Sequence, residues 1–196
     1  QGIRVAVLAV DPSSQISGGS ILGDKTRMEE LARDELAFIR PTPSKGTLGG
    51  TARYTREAMM VLEAAGFEVI IVETVGVGQS EVAVSDMVDM FLLLLSPGGG
   101  DELQGIKRGI MELADLVIIN KADGDFLNAA NIAMADVKNA LHLMKRKNPD
   151  WSADAMKISA LNKIGLDEVW VQINNFIKVM KENGTFDERR DQQIVS

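Results

Sequence analysis

Four consecutive residues, Asn120-Lys121-Ala122-Asp123, follow directly on the apolar run Leu116-Val117-Ile118-Ile119 and carry the most specific chemistry in the chain. An aspartate held in the plane of a purine accepts two hydrogen bonds from guanine, one from N1–H and one from the exocyclic amine. Adenine offers no such pair of donors. At about 1.5–3 kcal/mol for each charge-assisted bond, the pair discriminates between the bases by roughly two to four decades. Lys121 would lie along the face of the base, and Asn120 would tie the loop to its neighbours. A turn could spell these residues by coincidence. Their position after a strand, with Ser159-Ala160-Leu161 ending the next one, favours base recognition.

Three carboxylates could complement such a site. Val69-Ile70-Ile71-Val72 is apolar and β-branched, so both faces of that strand should be covered, as in a parallel sheet. Glu73 then emerges at the carboxyl edge, where open α/β sheets place their ligands. Gly76 and Gly78 follow and let the backbone approach a ligand or switch conformation. Asp11 closes the run Ile3–Val10 ahead of Pro12, and Asp24 sits beside Lys25 and Arg27. Given a nucleotide triphosphate, Asp11, Asp24 and Glu73 are the candidate oxygen ligands of a Mg²⁺ ion. Glu73 could also orient or activate an attacking water. An ordinary Asp-Pro turn, a solvated loop and a glycine turn after a buried strand explain the same residues individually.

The elements that must position these groups alternate. Strand patterns cover 3–10, 67–72, 91–95, 116–119 and 156–158, with a further short apolar stretch from Leu36 to Arg40. Helical spacing appears at 28–33, 51–65, 82–90, from Ile106 to Leu113, from Ala130 to Met144 and from Val169 to Met180. The apolar stripes of these helices are core. Gly98-Gly99-Gly100-Asp101-Glu102 forms a loop with almost no conformational restraint, of the kind kept where something must move. Beyond it, Lys107 reads by itself as a helix-surface lysine. Strands and helices in this order predict right-handed βαβ crossovers. The fold class expected is α/β, a three-layer, mostly parallel sheet with helices on both faces. Residues 1–183 read as one domain, and the polar stretch 184–196 as a linker or frayed tail.

Composition narrows the function classes. The 196 residues are 45% apolar and 25% charged, as in soluble globular proteins. A net charge of −7 argues against sequence-independent nucleic-acid binding, which needs a basic surface. No apolar run approaches the roughly 18 residues that would span a bilayer. There is no cysteine and one histidine, His142, which excludes disulfides, thiolate-zinc sites and histidine clusters. With no signal-peptide pattern, a cytoplasmic location is expected.

Five runs now carry a resemblance: Asp11-Pro12-Ser13-Ser14, Gly19 to Met28, Glu73 to Glu81, Gly100 to Lys107, and Asn120 to Asp123. Together, in this order and over nearly the whole chain, they resemble the methylmalonyl-CoA mutase-associated GTPases. These are SIMIBI-class P-loop GTPases that act as chaperones of adenosylcobalamin-dependent mutases, in the same broad class as the nickel-insertion GTPases. The resemblance implies GTP/GDP and Mg²⁺ as ligands, with Asp11 and Asp24 in a first switch and Glu73 and Gly76 in a second. It implies a third switch, Gly98, Gly99, Gly100, Asp101, Glu102, Gln104 and Lys107, at the interface with an acyl-CoA mutase. Lys107 would there become a charge-stabilising catalytic group beside Glu73, brought into place by the partner. Ser159, Ala160 and Leu161 join Asn120, Lys121 and Asp123 in holding the nucleotide. The location implied is the cytoplasm of a bacterium or the mitochondrial matrix of a eukaryote, with a homodimer in the full-length protein and neither nucleic acid nor membrane as partner.

The family's Gly-x-x-x-x-Gly-Lys-Ser/Thr phosphate loop does not occur in the sequence. The resemblance places it upstream of residue 1, so the chain reads as an internal fragment that also stops before a dimerisation arm. Without that cradle the nucleotide dissociation constant should rise by several decades, leaving a weak or inactive GTPase. A sheet lacking an inner strand would leave unpaired edges open to dimerisation or swapping. Two other functions fit less directly. One is a kinase or ATPase of a lysine/arginine/ornithine transport system, as older naming of the family suggests. The other is a non-catalytic mutase-binding module.

Overall fold

A computed structural model describes residues 2–11, 28–43, 48–74, 80–97 and 108–195, with the side chains of 11, 41–43, 48–52, 80, 108 and 194–195 outside the description. The chain divides into two compact units, Gln1–Val88 and Asp89–Ser196. Among the described residues each is built on a three-stranded sheet in which every pairing is parallel. Parallel sheets with helices on both sides are the α/β class expected.

In the first unit β1 (Val5–Asp11) lies between β2 (Ala37–Pro43) and β3 (Val69–Thr74). Val5 stands opposite both Ala37 and Val69, so the strands begin level. Among the described residues three helices accompany the sheet: α1 (Glu29–Ala32), α2 (Leu48–Ala64) and α3 (Ser80–Met87). Ala6 and Leu8 of β1 pack with Ala58 and Leu62 of α2, and Ile70 and Val72 of β3 join them. Strand alternation then turns Ile71 and Glu73 to the opposite face. Ile71 is 47% exposed, contrary to the expectation that both faces of Val69–Val72 are covered. The reason is topological, since β3 is an edge strand of its sheet. β2 joins the sheet although its sequence suggests only a short apolar stretch. Proline at 41 and 43 is compatible with an edge strand, whose outer N–H groups need no partner.

In the second unit β5 (Leu116–Ile119) lies between β4 (Leu92–Leu95) and β6 (Asp154–Lys157). All four residues of the central strand are buried, each apolar side chain contributing about 1.5–3 kcal/mol. On the edge strand β4, by contrast, Leu94 is 60% exposed. Helices here include α4 (Arg108–Leu113), α5 (Leu127–Leu143) and α6 (Leu166–Glu182). α5 buries Ala130, Ala133 and Val137, while α6 buries Val169, Phe176 and Met180, so the expected stripes are core.

Asp115, only 3% exposed, fixes the start of this sheet. Its Oδ2 accepts hydrogen bonds from the Phe91 backbone N–H (2.8 Å) and from Lys147 Nζ (3.2 Å). Its carbonyl accepts Trp151 Nε1–H at 2.9 Å, and its own N–H donates to Phe91 O at 2.9 Å. A buried carboxylate requires such compensation.

The polar segment after Gly184 is a helix, α7 (Thr185–Val195), where the sequence reads as a linker or frayed tail. What holds it is a long-range pair. Arg190 Nε and Nη2 donate to the two oxygens of Asp89 at 2.5 Å each, and Arg189 Nη1 donates to the Asp89 carbonyl at 3.0 Å.

Candidate functional site

Residues Ile119 and Lys157 are paired in register, so the loops that follow β5 and β6 leave the same carboxyl edge side by side. They are then stitched together. Ile158 N–H donates to Ile119 O (2.8 Å) and Ala122 N–H to Ile158 O (2.9 Å). Asn120 Oδ1 accepts Lys121 N–H at 2.7 Å within its own loop and Ala160 N–H at 3.0 Å in the other. This is the tying role the sequence assigns to Asn120. Asn120 N–H in turn donates to Leu95 O at 2.8 Å, anchoring the loop to the end of β4.

Ser159 is fully buried, and its hydroxyl donates to Asp123 Oδ2 while accepting Asn162 N–H at 3.1 Å. The Asp123 carboxylate is therefore aimed by a fixed donor and still has acceptor capacity on both oxygens. Lys121 has φ +61°, the left-handed region, and is exposed. A lysine there leaves the strand direction abruptly, so the loop turns at Lys121 and Asp123 follows on a new course. Leu161, 84% exposed, projects beyond Ala160.

Gly165 supports the second loop, and the sequence reading passes over it. Its φ is +80°, and a Cβ there would meet Lys157 O at 2.8 Å and Ile158 Cγ2 at 3.2 Å. Only glycine fits, and it serves as N-cap of α6 after the loop has closed through Ser159 N–H to Ile164 O and Ile164 N–H to Ser159 O, both 3.0 Å. The signal was present in Lys163-Ile164-Gly165 followed by Asp167 and Glu168, a helix start with acidic residues in its first turn.

In the first unit Glu73 stands opposite Ala9, and Asp11 is two residues further along β1. Two rises of about 3.3 Å and one strand spacing of about 4.8 Å put the Cα positions of Asp11 and Glu73 about 8 Å apart. Glu73 Oε2 is buried and has no hydrogen-bond partner among the described residues. A buried carboxylate oxygen without a donor is costly unless a cation or a water meets it. Glu73 thus fits a Mg²⁺ ligand on its own geometry. Among the described residues no group of three or more acidic or histidine side chains forms a cation site. Asp24, Gly76, Gly98, Gly99, Gly100, Asp101, Glu102, Gln104 and Lys107 lie outside the described residues.

Parallel sheets with helices on both sides, here bearing an Asn-Lys-x-Asp loop braced by a serine loop at the carboxyl edge, are the architecture of the P-loop NTPases that are the chain's structural neighbours. The family can be named more narrowly. A family model described as methylmalonyl-CoA mutase-associated GTPase MeaB matches residues 1–196, and the chain belongs to that family. "GTPase ArgK" of Escherichia coli (strain K12) is 54% identical over 197 residues, covering 100% of this chain and 59% of the relative. "Methylmalonic aciduria type A homolog, mitochondrial" of Mus musculus is 54% identical over 193 residues, covering 98% of this chain and 46% of the relative. A solved structure described as an LAO/AO transport system kinase superposes with a TM-score of 0.81 at 44% identity, over 99% of this chain and 56% of its own. The chain therefore spans 46–59% of the length of these relatives.

Proposed function

We propose that the protein carrying this chain hydrolyses GTP. We further propose that it uses the cycle as a chaperone, gating adenosylcobalamin loading or protection of methylmalonyl-CoA mutase or a related acyl-CoA mutase. The observation that carries this reading is the pair of cross-bonded loops in which Ser159 aims Asp123 and Asn120 holds Ala160. In it, Asp123 accepts from N1–H and the exocyclic amine of guanine, Lys121 covers the face of the base, and Leu161 borders it. Family membership over residues 1–196 supports the same conclusion.

Glu73, Asp11 and Asp24 would hold Mg²⁺, which when bound neutralises charge on the phosphate oxygens. Glu73 also orients the attacking water. Attack of that oxygen on the γ-phosphorus breaks the bond to GDP and releases inorganic phosphate. Lys107 offsets charge that develops in this step once a partner has brought it into place. Gly76, directly after the Glu73 strand, lets the second switch respond to the γ-phosphate. Homodimerisation of the full-length protein belongs to this reading, as does a bacterial cytoplasmic or mitochondrial matrix location. No helix among the described residues is long and apolar enough to cross a membrane.

The test is GTP turnover by the full-length protein with and without methylmalonyl-CoA mutase. Release of free phosphate accelerated by the mutase is the expected result. Binding of both GTP and mutase with no turnover would instead make the protein a passive binding module. The solved relative described as a transport system kinase favours one alternative, a phosphotransferase. Covalent transfer of labelled phosphate to a protein acceptor, in place of free phosphate, would establish it.

A further inference from the structure

The outer face of α2 is apolar where a surface helix is ordinarily polar. At about 100° per residue, Thr55, Ala58, Met59 and Leu62 share one side of the helix. Ala58 and Leu62 pack with Ala6 and Leu8 of β1, Met59 joins them, and Thr55 is buried. Tyr54, Met60, Val61 and Ala64 stand on the other side. Tyr54 is 61% exposed, Met60 59% and Val61 68%, and Ala64 is exposed with them. A single apolar side chain on a surface is ordinary, but four along one face of one helix make a patch.

Two charges lie within this face. Arg53 Nε donates to Glu57 Oε1 at 3.0 Å, one helical turn away, and both side chains are exposed. So exposed a pair adds little to the stability of its own helix. The face thus carries one cation, nearer its amino end, and one anion. A copy of the same helix turned end for end presents its anion where the first has its cation. About a two-fold axis, Arg53 then meets Glu57 of the partner subunit, and Glu57 meets Arg53 of the partner subunit. That reciprocity is the pattern of an isologous contact. The midpoint between the two charges falls beside Tyr54, so a tyrosine from each copy flanks the axis, a residue type favoured at the centre of protein contacts.

We propose that this face of α2 is a contact between two copies of the protein, paired antiparallel about a two-fold axis beside Tyr54 and closed by reciprocal Arg53–Glu57 pairs. From Tyr54 to Ala64 the face runs about 15 Å. Two helices meeting over that length fall short of the roughly 800 Å² per partner of a standard interface, so the association is reversible and depends on concentration. The contact rests on no part of the GTPase reading, and a dimer held elsewhere in the full-length protein would leave this face free to form it.

Sedimentation velocity of the full-length protein over a concentration series tests this, because an association step that responds to α2 is read against any other contact between copies. Arg53→Glu sets like charges opposite each other at both pairs, as does Glu57→Arg, and each should weaken the step at least tenfold. Mixing these two variants restores opposite charges across the axis while the pair within each helix stays broken. The mixture should therefore associate as the wild type does, a recovery that a role inside the helix cannot produce. Val61→Lys should abolish the step with the thermal midpoint unchanged; if it unfolds the protein, the charge variants decide. A wild type with no such step, a step kept by all the variants, or single variants that weaken it without recovery on mixing would each overturn the proposal. Loss of mutase binding in Val61→Lys with self-association intact would overturn it as well and give the face to the mutase.

Discussion

Replacing Ser159 with alanine isolates the structural brace of the base site from the group that contacts the base. Ser159 is fully buried, and its hydroxyl makes two bonds, donating to Asp123 Oδ2 and accepting Asn162 N–H at 3.1 Å. Ser159→Ala removes one small polar group and leaves no large cavity. Asn162 is exposed, so its N–H can be rehydrated and that loss should cost little. The charge-assisted bond to Asp123 is worth about 1.5–3 kcal/mol. Only the part that pre-aims the carboxylate reaches the ligand, so we expect about 1.5–2.5 kcal/mol, a weakening of guanine nucleotide binding by roughly 10- to 70-fold. Because the base is common to both ligands, GDP and GTP must lose affinity equally. Titration calorimetry of the full-length variant with each nucleotide measures this, alongside a thermal melt. Undiminished GDP affinity in a folded variant would refute the argument, as would a loss confined to GTP.

Asp123→Asn should move preference from guanine toward xanthine nucleotides, since an amide donates where the carboxylate accepted; unchanged selectivity in a competition assay would remove the base-recognition role. Glu73→Gln should lower GTP turnover by about 10²–10⁴-fold and weaken the Mg²⁺-dependent part of GTP binding, measured by phosphate release and by calorimetry with and without Mg²⁺. Gly165→Ala should destabilise the protein by about 1–3 kcal/mol, read as a lower denaturant midpoint, because φ +80° disfavours alanine and the new Cβ would meet Lys157 O at 2.8 Å. An unaffected midpoint would show that the loop relaxes around the methyl group.

The position of the Asn120–Asp123 loop at a strand's carboxyl end was legible in the sequence because its residues are contiguous and follow a strand that is central and fully buried. Asn120's link to Ala160 spans 40 residues, yet it could be anticipated because both loops carry recognisable residues after short strands. Other features are long-range and leave no local trace. An apolar run such as Val69–Val72 identifies a strand but not how many neighbours it has, and Ile71 is exposed for that reason. β2 is obscured by its two prolines, which an edge position tolerates. α7 reads as a tail because its pattern is polar, and its anchor, Asp89, lies 101 residues before Arg190. The carboxylates divide in the same way. Asp11 and Glu73 share a sheet edge through backbone register, which alternation and crossover rules anticipate.

Asp115 and its bonds to Phe91, Lys147 and Trp151 lie at the opening of β5, while Asn120 to Asp123 lie at its close. Four residues of buried strand separate the two, and they divide the labour of the unit. How the strands begin is settled by polar cross-links at the end of β5 away from the Asn120–Asp123 loop. What the far ends recognise is left to loops whose side chains can be exchanged one at a time. On the proposed reading of Asp123, selectivity for a different base could therefore be engineered there without disturbing the foundation on which the sheet is laid.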